Sequence, residues 1–290
     1  MDGRTQGIRR YLNWAGIGVL VLLLAGCATE AQVKKIVADS NATLLASRFP
    51  DPQLATPGER TGEQDPAAQI EDFIAQHPDQ NALNGALRVR QAIVFLSRRE
   101  YNRADAAFKA AGDLGTSTAR DQALVTVHEN LIWWYENASA GRVDVARAAS
   151  ARKALIDEAR IRKDSPDIRD FLAEGSAWVG LMQFASTRTT IAEQRQVMEQ
   201  TINDYAFILD QDDLNWLCKP PVKVEGTDLS PATRRRVRAE AVLRQSAAYS
   251  QAIDGAENRP AFTQPILQDL IVAPAKRAVD CVRRFPKPVN

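Results

Sequence analysis

From Asp65 to the C-terminus, apolar residues recur three and four positions apart, and no stretch alternates apolar and polar residues for long. That period belongs to helices with one buried face and not to strands, so the body is expected to be all-α. Starts are marked at Asp65-Pro66, Ser165-Pro166 and Ser230-Pro231. Each sets a capping side chain before a proline at the first helical position, where the missing N–H costs nothing. The spacing predicts helices over 66–76, 81–98, 101–113, 117–139, 142–162, 166–187, 190–211, 231–254 and 261–284. Short connections make consecutive helices antiparallel, so the expected architecture is a stack of helix hairpins: 81–98 with 101–113, 117–139 with 142–162, 166–187 with 190–211, and 231–254 with 261–284. Hairpin starts near 81, 117, 166 and 231 are unevenly spaced, so the repeats are irregular.

Charge narrows the partners. With 37 Lys+Arg against 36 Asp+Glu, the formal net charge is +1. Such a chain has no long-range attraction for phosphates, and nucleic acid is not expected as a partner.

The first residues decide the compartment. Arg4, Arg9 and Arg10 precede an apolar run, Trp14 to Leu24, and then small residues, the order of an export signal. An uncleaved membrane anchor over the uncharged run Tyr11 to Ala28 is the alternative. Leu24-Ala25-Gly26-Cys27 resembles the lipobox of bacterial lipoproteins. That resemblance implies cleavage before Cys27, diacylglyceryl transfer to its thiol, and, with Ala28 following, delivery to the periplasmic face of the outer membrane. It divides the chain into a signal at 1–26, a lipidated N-terminus and flexible tether at 27–65, and a helical domain at 66–290. Within the tether Ala31 to Leu45 has the pattern of one amphipathic helix, whereas the Pro- and Gly-rich stretch from Arg48 to Pro66 cannot bury a core and reads as the flexible spacer.

With Cys27 acylated, Cys218 and Cys281 remain, an even number in an oxidising space. A disulfide between them is expected, worth about 4 kcal/mol by loop-closure entropy; two separate buried thiols are the alternative. Only His77 and His128 are present and no Cys or His pair has ligand spacing, so neither metal nor cofactor is expected.

Gly85 to Ala111 resembles a tetratricopeptide repeat. Ala92, Phe95, Ala104, Phe108 and Ala111 follow that family's ladder of small and aromatic positions. The small residues let two helices approach, and the phenylalanines fill the space between hairpins. The resemblance implies a curved stack offering a face to peptides or partner proteins.

Two features are candidates for that face. Trp133, Trp134 and Tyr135 are adjacent mid-helix and span too wide an arc for a single buried stripe. They are read either as a helix packed on both sides or as a groove lined by binding residues. Arg234, Arg235 and Arg236, with Arg238, open a helix whose N-terminal dipole disfavours cations. They read as a solvated face with Glu240 as partner, or as a contact for anionic lipid or an acidic protein. No phosphate-binding loop or nucleophile constellation is present, and Glu174 is the single position worth examining for hydrolytic chemistry. The expected function is therefore a non-catalytic, lipid-anchored adaptor for another envelope protein. The alternatives are a small-ligand-binding accessory of a transporter or sensor and, third, a peptidoglycan-active enzyme.

Overall fold

The computed structural model describes residues 29–40, 65–188, 190–219, 231–257 and 273–284. Every element among them is helical. In chain order they are α1 (29–40), α2 (Pro66–Gln76), α3 (Asn81–Ser97), α4 (Tyr101–Leu114), α5 (Ala119–Thr126) and α6 (His128–Asn137). There follow α7 (Val145–Ile161), α8 (Pro166–Ser186), α9 (Ile191–Ala206), α10 (Gln211–Leu217), α11 (Pro231–Glu257) and α12 (Ala273–Arg284). The fold is a stack of antiparallel helix hairpins, as the periodicity requires. Helix α3 packs along α4, α7 along α8, α8 along α9, and α11 against α12. None of the described helices is long and apolar enough to cross a membrane.

Local chemistry sets the boundaries. The Asp65 carboxylate accepts from Ala67 N at 3.0 Å with Pro66 in the first turn, and also pairs with Arg98 Nη2 at 2.8 Å, tying the start of α2 to the end of α3. Ser165 precedes Pro166 but its side chain makes no capping bond; Thr118, Asp144, Thr190 and Asp210 do cap their helices. The α3–α4 turn closes with Glu100 N donating to Phe95 O and Arg99 N to Leu96 O. This pair of bonds puts Arg99 in the left-handed region at φ 61°, the position that helix C-termini usually give to glycine.

Packing follows the size ladder. Ala92, Ala104 and Ala111 are fully buried where α3 meets α4, and Phe95 and Phe108 are buried beside them. The main core continues from there through α5 to α12.

Three expectations need correction. The helix expected over 117–139 breaks at Val127 into α5 and α6, and the one expected over 190–211 ends at Ala206, with α10 following as a separate short helix. Of the helix expected over 261–284, the described part is α12; residues 261–272 lie outside the described residues. The tether expected over 27–65 is not free along its length: α1 lies on the body. Ile36 joins Ile70, Phe73 and Leu87 in a second apolar cluster, and Gln69 Nε2 donates to Asp39 Oδ2 at 2.9 Å.

Candidate functional site

Helix α8 carries Asp167, Asp170, Phe171 and Glu174 at spacings of three, four and seven, which put all four on one face. Opposite them stand Tyr205 of α9, Ile208 just beyond it, and Arg235 and Arg238 of α11. Between these walls is a half-open cavity of about 300 Å³. A second cavity of about 350 Å³ adjoins it. Its apolar lining comes from Ile93 and Leu96 of α3, Phe108 of α4, Leu124 of α5, Leu131 of α6 and Ile168 of α8. Asp167, Phe171 and Arg238 line both, so the two form one cleft with a polar and an apolar half.

The polar half is held by an ion-pair network. Asp213, fully buried at the start of α10, closes a capping box with Asp210. It accepts from Arg235 Nε at 2.9 Å and from Arg236 Nε at 3.1 Å. Arg235 reaches on to Asp210 at 3.1 Å and Asp170 at 3.4 Å, joining α8, α10 and α11. Glu174 accepts from Arg238 Nη1 at 3.2 Å. Burial raises the Asp170 pKa, against the lowering effect of Arg169 and Arg235. Burial also lowers that of Arg235, but the Asp213 hydrogen bond and the carboxylates of Asp213, Asp170 and Asp210 outweigh it and the net direction is up. The Tyr205 phenol is raised well above its ordinary value, by burial first and then by the charges of Glu174 and Asp170. It therefore stays protonated at neutral pH.

The described side chains among those singled out from sequence take partners within the fold. Trp134 and Tyr135 are buried in the core, and Trp133 is half-buried with the Arg147 guanidinium 5.4 Å over its ring. The three aromatics meet different neighbours. Trp134 lies beside Phe171 of α8, Trp133 under Arg147 of α7, and the Tyr135 carbonyl accepts from the Tyr101 hydroxyl of α4 at 3.1 Å. Arg235 and Arg236 are committed to Asp213 inside the molecule rather than presented to lipid, and Glu240 pairs with Arg244, not with the arginine run. Arg234 falls within α11, but its side chain lies outside the described residues, as does Cys27. Cys218 and Cys281 are bonded, their Cα atoms 4.5 Å apart, joining the C-cap of α10 to α12.

Glu174 does sit in the cleft, among carboxylates. Asp170 and Glu174 stand on one wall, four residues apart on a single helix, and each is paired with arginine. Glycoside hydrolysis asks instead for two carboxyl groups on opposite sides of the bond. The described residues contain no group of three His, Cys, Asp or Glu side chains able to hold a metal. What the cleft offers chemically is apolar contact, hydrogen bonding and fixed charge. Asp170, Phe171 and Tyr205 escape a sequence reading; the one available signal is the stripe of acids along the otherwise apolar α8. No family model, curated protein or solved structure matches this chain.

Proposed function

We propose that the protein is a non-catalytic adaptor, held by lipid on Cys27 at the periplasmic face of the outer membrane, that grips a segment of another envelope protein in the cleft between α8 and its neighbours. The observation that carries this reading is the cleft itself: two adjoining cavities, half-open, with apolar and polar walls drawn from seven helices of the stack. The Leu24-Ala25-Gly26-Cys27 sequence supports the anchor, and the Cys218–Cys281 bond is in keeping with an oxidising space.

The test is a photo-crosslinking residue at Phe171 in intact cells, with a second at the outward Ile161 as control. One envelope protein captured from position 171 and not from 161 is expected. Equal capture at both positions, or none, overturns the reading. Cys27→Ser is expected to release the protein from the membrane fraction; retention would refute the lipid anchor.

A second reading, small-ligand binding, is favoured by the size of the apolar half, which suits a small molecule. It predicts that a small solute extracted from the purified protein blocks the crosslink at 171.

A further inference from the structure

We propose that the cleft takes an extended peptide in which a bulky apolar side chain stands next to a basic one. The inference rests on the adaptor reading and gives its ligand a chemistry.

Three observations carry it. The apolar half, about 350 Å³ and walled by buried side chains such as Phe108, Leu124 and Leu131, has room for one large aliphatic or aromatic side chain. Moving such a side chain out of water is the favourable step. Next, Tyr205 is only 1% exposed and lines the polar half, yet its hydroxyl makes no hydrogen bond with any other described residue. A hydroxyl on a cavity wall can donate to an acceptor that enters the cavity. It is held protonated, so what it lacks is an acceptor, and the carbonyl of an extended peptide supplies one. A purely apolar ligand would leave it unpaired.

The third observation is charge. Asp170, Glu174, Arg235 and Arg238, and Arg120 of α5 at the wall of the apolar half, each have an ion pair within the protein. Asp167 does not: it is exposed, lines both halves, and pairs with no described residue. The uncompensated charge of the lining is therefore negative and lies where the halves meet. A basic side chain leaving the apolar half is attracted there, and an acidic one is repelled.

The experiment uses the full-length chain in detergent and fluorescence anisotropy with short blocked peptides carrying Phe-Lys, Phe-Glu or Ser-Lys in a common Gly-Ser frame. Phe-Lys is expected to bind tightest. Phe-Glu should be weaker by up to about fivefold, the range of an exposed ion pair, and Ser-Lys by about tenfold or more. Asp167→Asn should abolish the preference for Phe-Lys over Phe-Glu, and Asp167→Lys should reverse it. Tyr205→Phe, which removes no internal hydrogen bond, should weaken both Phe probes by about fivefold and leave their ratio unchanged. Equal binding of the three probes, binding of none, or an unchanged preference in Asp167→Lys would overturn the inference. If the probes fail while position 171 still captures a partner, the peptide chemistry is wrong and the adaptor stands. If they bind as expected while no partner is captured, the adaptor falls and the peptide site stands.

Discussion

The indole of Trp134 occupies the place where a side chain on Gly175 would begin: a Cβ there would come within 2.7 Å of the ring carbon Cζ3. The same indole stands 6.2 Å from the Phe171 ring, centroid to centroid, and Phe171 lines both halves of the cleft. Core and cleft thus share a wall one side chain thick.

Gly175→Ala should therefore destabilise the fold by about 1–3 kcal/mol, the range for overpacking a filled core. Denaturant midpoints measure this. Combining it with Trp134→Leu should cost less than the two changes separately, because the smaller side chain vacates the contested space.

Arg99 holds a left-handed conformation without the glycine that suits it. Arg99→Gly is expected to stabilise the protein by about 1 kcal/mol by removing the Cβ clash, and Arg99→Ala should not. Chemical denaturation of the two variants side by side decides it.

The disulfide closes a separation of 63 residues that includes α11. Reduction, or Cys281→Ser, should cost about 4 kcal/mol in the chain-entropy account. Thermal melts with and without reductant provide the check; a cost near zero would mean that packing alone holds α12.

Glu199 is nearly buried on α9, and its Oε1 has no hydrogen-bond partner among the described residues. Burial raises its pKa, against a smaller lowering effect of Arg195. The folded state thus binds this proton more tightly than the unfolded chain does, so stability from this group is present below the ordinary glutamate range and is lost as pH rises through the raised folded value. Glu199→Gln should remove that dependence. The variant is expected to gain on the parent at neutral pH and to lose the advantage near pH 4, as read from denaturant midpoints at both pH values.

Much of the architecture is legible in the sequence because it depends on local rules. Asp65-Pro66 starts α2 as capping chemistry demands, and the ladder from Ala92 to Ala111 packs as its sizes dictate. The break at Val127 is not legible, because apolar spacing continues across it from Leu124 to Leu131. Trp133, Trp134 and Tyr135 mislead for a tertiary reason. Adjacent residues point around the helix, and three different helices receive them, which one-dimensional spacing cannot foresee. The cleft is hidden on the same grounds: Glu174 and Arg238 are 64 positions apart and meet only when α11 lies against α8.

The docking of α1 onto α2 and α3 changes how an anchored molecule would sit. The described part of α1 starts at residue 29, two positions after Cys27, and two residues reach at most about 7 Å. A lipidated Cys27 would therefore moor the globule flush with the headgroups, with little slack. Orientation on the lipid leaflet, and with it the direction in which the cleft opens, would be fixed by the Ile36 contact.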